Sequence, residues 1–144
     1  MRKILLPLFF ALSFFCISPF VHAANISVTN PWILEAPPTA KAFAAYMIIR
    51  NTGKQQTSLL EATSPDFGSA EIHQSSMHQG MAHMMALKSL PIKPGGKVIL
   101  EPGSFHIMLL NPHKPVSLGD QFMLQLRFDN GESLQIPAEV RRHR

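Results

Sequence analysis

The chain has 144 residues, with 13 lysines and arginines against 9 acidic residues and a single cysteine. Arg2 and Lys3 lie in a leader-like segment, and without them the basic count falls to 11, so the balance is near neutral and nucleic acid is not implied. One cysteine excludes an internal disulfide framework.

The leader comes first in chain order. Arg2 and Lys3 form a positive start, Ile4 to Ile17 is an almost wholly apolar run of 14 residues, and Val21-His22-Ala23 supplies small residues where a signal peptidase reads. The run is shorter than the roughly 20 residues a membrane-crossing helix needs. Residues 1–23 are therefore expected to be a signal peptide cleaved after Ala23, leaving residues 24–144 as one exported domain without a membrane anchor. Cys16 lies inside the removed segment and lacks the small residues expected before a lipidated cysteine.

From residue 24 onward, short apolar runs are separated by proline, glycine and asparagine, with no repeat and no heptads. This pattern predicts an all-β domain. Ala42 to Arg50 reads as a strand closed by Asn51-Thr52-Gly53, with Thr57 to Ala62 as its possible neighbour. Strands are also expected over 70–75, 83–89, 97–101, 104–110, 121–128 and 132–140. Asp129-Asn130-Gly131 is the clearest hairpin signal, Pro102-Gly103 marks another tight turn, and residues 91–96 and 111–120 read as longer connections. About eight short strands in this length suggest a Greek-key β-sandwich or small barrel. Met47 and Met123 read as core, Trp32 as a packing residue, and His113 and the tail from Arg141 as solvated.

Strand parity gives the first sign of a site. In Ser104-Phe105-His106-Ile107-Met108-Leu109-Leu110, Phe105, Ile107 and Leu109 share one face while His106 and Met108 share the other. In isolation the plainer reading is packing for Met108 and a half-exposed polar position for His106. Similarly, Ile72 points inward and His73 outward. Positions 73–85 read HQSSMHQGMAHMM, thirteen residues with three histidines and four methionines around an expected turn at Gln79-Gly80. Methionine is normally a sparing gap-filler in cores, and residues at a hairpin tip cannot be core. The surviving bland reading is a methionine-rich protein-binding surface. Thioether and imidazole donors together suit Cu(I) far better than Zn(II), Mg(II) or Ca(II).

Ten residues separate His73 from Met84, twenty-one separate Met84 from His106, and His106-Ile107-Met108 follows. This order resembles the signature of the PCu(A)C-type periplasmic copper chaperones. The flank Pro-Gly-Ser-Phe-His-Ile-Met-Leu-Leu at 102–110 and the turn at Asp129-Asn130-Gly131 are similar to that family too, and the resemblance spans roughly residues 25 to 140. It implies a cupredoxin-like fold, Cu(I) ligation by His73, Met84, His106 and Met108, and delivery of copper toward the CuA centre of cytochrome c oxidase. The partner would be the CuA-bearing subunit or another copper chaperone, and the location the periplasm of a Gram-negative type of cell. Met77, His78, Met81, His83 and Met85 remain as a possible secondary metal set, a transfer antenna or cover for the site. Met84 and Met85 would exchange faces with a one-residue register error.

The donor chemistry is consistent with this. Thiolates risk oxidation in an oxidising compartment, whereas thioethers carry no proton to lose and bind Cu(I) as neutral donors. An electron-transfer cupredoxin would require a cysteine ligand, a catalytic zinc site would leave the methionines unexplained, and no nucleophile constellation points to an enzyme. The remaining competitor is a periplasmic copper or silver sequestration protein for metal tolerance, with the same site but no delivery partner.

Overall fold

The computed structural model describes residues 24–143. The expected signal peptide lies outside the described residues. The described residues form ten strands: β1 (Ile26–Leu34), β2 (Ala42–Asn51), β3 (Thr57–Thr63), β4 (Phe67–His78), β5 (Met81–Ala86), β6 (Leu90–Ile92), β7 (Lys97–Leu100), β8 (Phe105–Pro112), β9 (Gln121–Phe128) and β10 (Ser133–Arg141). The described residues contain no helix.

Their hydrogen-bonded order is β5-β4-β8-β7-β2-β1-β10-β9-β3-β6, with β8 also paired to β2. The sheet folds over, so that β3 lies against β4 and β6 against β2 without pairing to them. Between the layers Phe67 of β4 stands edge-on to Phe43 of β2 (6.1 Å) and to Phe122 of β9 (5.3 Å). Strand β9 shows the cause most cleanly. Phe122, Leu124, Leu126 and Phe128 alternate inward along it and are fully buried, each worth about 1.5–3 kcal/mol of transfer free energy. Met123 takes the outward phase and is 40 % exposed, which corrects its reading as core; Met47 is buried as expected.

Two strands escape the sequence pattern. Strand β1 is broken at Asn30-Pro31, where Asn30 adopts a positive φ of 50° and the register against β2 shifts between Thr29 and Trp32. Strand β6 has only three residues with Pro91 at its centre. The expected pairing of Thr57–Ala62 with the Ala42 strand is also absent. Strand β3 pairs with β9 and β6, and β2 is flanked by β1, β7 and β8.

The Pro102-Gly103 turn serves an unexpected purpose. Both β7 and β8 run antiparallel to β2, with Leu100 opposite Met47 and Ile107 opposite Ala45. The turn is thus an excursion within one long path along β2, with Gly103 at φ 82°. It returns the chain at Phe105 so that His106 lies next to β4.

Candidate metal centre

Strands β4 and β8 pair antiparallel with His73 directly opposite His106 and Glu71 opposite Met108. Strand β5 adds Met84 opposite Ser75 and Ala86 opposite His73. Paired residues and residues two apart share a face. His73, Met84, His106 and Met108 therefore all lie on the face turned away from Ile72, Ile107 and Leu109 of the core. The histidines form the central row, with Met84 one step toward the hairpin tip and Met108 one step away from it.

The hairpin turn fixes this arrangement. Gln79 and Gly80 have φ of 50° and 77°, the doubly positive pattern of a tight two-residue turn, and His78 opposes Met81 immediately beyond it. That register places Met84 on the His73 face and Met85 on the other. Met77, opposite Ala82, joins the His73 face, whereas His78, Met81, His83 and Met85 take the opposite one.

His106 is only 3 % exposed, so it is not the half-exposed polar residue that an isolated His-x-Met would suggest. Its ring lies 5.6 Å from that of His73 and 6.3 Å from that of Tyr46, and Trp32 packs on the far side of Tyr46 at 4.8 Å. Burial pushes the His106 pKa below its ordinary value of 6.5; the Ser104 carbonyl opposes this, and the neighbouring His73 adds to it. The ring therefore stays neutral at pH 7.

One nitrogen on each ring is already engaged. His73 Nε2 donates to Glu71 Oε2 at 2.8 Å, and His106 Nδ1 donates to the Ser104 carbonyl at 3.3 Å. In the neutral tautomers that make these bonds the protons are on those atoms and the lone pairs on His73 Nδ1 and His106 Nε2. These two nitrogens are buried and have no hydrogen-bond partner. A buried unsatisfied polar group costs about 1–3 kcal/mol, and two at adjacent positions require an explanation. With a metal–nitrogen bond of about 2 Å, two imidazoles can share one ion when their ring centres are up to roughly 6 Å apart. The pair at 5.6 Å meets this condition. Among the described residues no three His, Cys, Asp or Glu side chains gather as a metal site. Thioether donors are needed to complete one, and this favours a soft ion.

The sequence pattern missed Glu71, Ser104 and Tyr46. Glu71 could have been found, since Glu-x-His on one strand puts both side chains on the same face. A carboxylate on the second nitrogen of a ligating histidine fixes its tautomer and raises its basicity, and losing such a partner costs about 10–100-fold in metal affinity. If the histidine pair holds a soft ion, Glu71→Ala is expected to weaken its binding about tenfold without changing the stoichiometry. A competition titration against a Cu(I) chelator checks this, and unchanged affinity would remove Glu71 from the site.

Comparison with known proteins gives the family and the fold. The family model "Putative lipoprotein LpqE-like" matches residues 26–140. The chain belongs to this LpqE-like family. The Rickettsia prowazekii protein RP573 is 30 % identical over 125 residues, covering 81 % of this chain and 67 % of its own length. Among solved structures, the copper-bound PCuAC domain of PmoF2 superposes with a TM-score of 0.71 at 20 % identity, covering 85 % of this chain and 97 % of that domain. The Cu(I) form of DR1885 from Deinococcus radiodurans gives 0.65 at 25 % identity, over 82 % and 77 % of the two chains. The fold is thus the cupredoxin-like one of the PCuAC domains.

Proposed function

We propose that this chain is an exported, non-enzymatic carrier that binds one Cu(I) through His73, Met84, His106 and Met108 and passes it toward the CuA centre of cytochrome c oxidase in the periplasm. The observation that supports this reading most directly is the pair of buried, unpartnered imidazole nitrogens on facing strands. Family membership and the leader-like N-terminus are consistent with it.

As cargo, Cu(I) suits two imidazoles and two thioethers because no ligand contributes charge. A neutral site also releases the ion more readily than a thiolate cage does. Transfer to CuA, where bridging thiolates bind more tightly, is then downhill. Met84 is 54 % exposed, so an incoming ligand can reach the metal from the hairpin side while the histidines still hold it.

Deleting the gene is expected to lower cytochrome c oxidase activity severalfold at limiting copper, with partial recovery when copper is added. In vitro, the Cu(I)-loaded protein should metallate an isolated CuA domain within mixing time. If deletion leaves oxidase intact and only raises sensitivity to copper or silver, the protein sequesters metal and the delivery role is wrong.

A further inference from the structure

The other face of the β4–β5 hairpin contains a second group of soft donors. His78 lies directly opposite Met81, and His83, opposite Ser76, is two residues from Met81 along β5. The three side chains therefore share one face, with Met85 one step further along it. The rings of His78 and His83 are 6.4 Å apart at 69°, close to the 5.6 Å and 63° of the His73–His106 pair. This separation is slightly beyond the roughly 6 Å that two imidazoles on one ion allow, and a small rotation of the two exposed rings about their side-chain bonds closes it.

Packing does not explain these residues. Every residue of β5 is exposed, with Met81 at 61 % and Met85 at 60 %. The core contribution on this face ends with Ile72, beyond which the strands project past the sandwich. Positions 73–86 contain no Lys, Arg, Asp or Glu, so the face has neither carboxylates for a hard cation nor fixed positive charge to repel one. Two imidazoles and one or two thioethers select a soft monovalent ion.

We propose that His78, Met81 and His83, with Met85 adjacent, form a second and weaker Cu(I) site on the opposite face of the hairpin from His73. The hairpin thus carries two ions back to back, separated by the thickness of the sheet. The second site is weaker for a structural reason. Among the described residues no hydrogen bond fixes the ring of His78 or His83, whereas His73 and His106 are each held by one. Donors that must be ordered on binding lose affinity to that ordering. The same exposure makes exchange at this site fast.

Anaerobic Cu(I) titration of the protein against a graded set of chelators is the test. The wild type is expected to take two equivalents, the second at least about tenfold weaker than the first. His78→Ala/His83→Ala should remove only the weaker equivalent, and Met81→Leu/Met85→Leu should weaken it about fivefold or more while keeping the imidazoles. His73→Ala/His106→Ala should keep the weaker equivalent, so failure of the primary site is distinguishable from failure of this one. A single equivalent in the wild type overturns the proposal, as does a second equivalent of unchanged affinity in His78→Ala/His83→Ala.

Discussion

The His73→Ala/His106→Ala double variant is expected to lose the tight Cu(I) equivalent, with affinity down by more than about a thousandfold. Loss of a hydrogen-bonding partner behind one ligand already costs 10–100-fold, and this variant removes two ligands. Folding should survive, because both side chains lie on the face opposite the main core and carry two unpartnered buried nitrogens. Removing them relieves a polar burial cost and opens a small cavity, opposing effects of about 1–3 kcal/mol. Met84→Leu/Met108→Leu tests the sulfur half with nearly conserved volume. It should abolish copper–sulfur scattering from the tight site in X-ray absorption, while Met85→Leu leaves that signal intact. Full affinity in the Met84/Met108 variant would refute thioether ligation there.

Acid is expected to produce the second large effect. Each imidazole must be free of its proton to bind, so Cu(I) affinity should fall as pH drops, approaching a limiting loss of about a hundredfold per pH unit where protons compete for both rings. Burial holds the His106 pKa below its ordinary value, so this ring keeps a free nitrogen to lower pH than an exposed imidazole would. The same depression makes the metal-free protein acid-sensitive. The unfolded chain binds a proton at His106 near pH 6.5 and the folded one only at lower pH, so stability is complete above about 6.5 and declines as pH falls through the folded pKa. Chelator competition and urea unfolding at stepped pH values measure the two effects separately. Copper affinity that stays flat between about pH 7.5 and 5 would exclude imidazole ligation.

Much of this site could be read from the sequence because its elements alternate. The His106-Ile107-Met108 parity, the Gln79-Gly80 turn and the Asp129-Asn130-Gly131 hairpin each depend on a local rule that the fold obeys. What the sequence concealed is non-local. Nothing near Pro102-Gly103 says that the turn interrupts a single path along β2, and nothing near Trp32 says that β1 continues across a bulge to pair with β10. The burial of His106 depends on Tyr46, a residue sixty positions away that lies beside it only because β2 and β8 are neighbours. Met123 was misplaced because an apolar side chain in the outward phase of β9 looks, by composition alone, like part of the core.

The exposure of the hairpin methionines also has a chemical consequence. Met77, Met81, Met84 and Met85 are all more than half exposed, whereas Met47 is sealed in the interior. An oxidant therefore reaches the hairpin sulfurs first and converts each thioether to a sulfoxide, replacing a soft sulfur donor with a hard oxygen while the core and the fold stay intact. Such damage is silent to any measure of folding. It disarms the thioether donors of the proposed site in an otherwise native molecule, and a sulfoxide reductase can reverse it without the chain being unfolded or replaced.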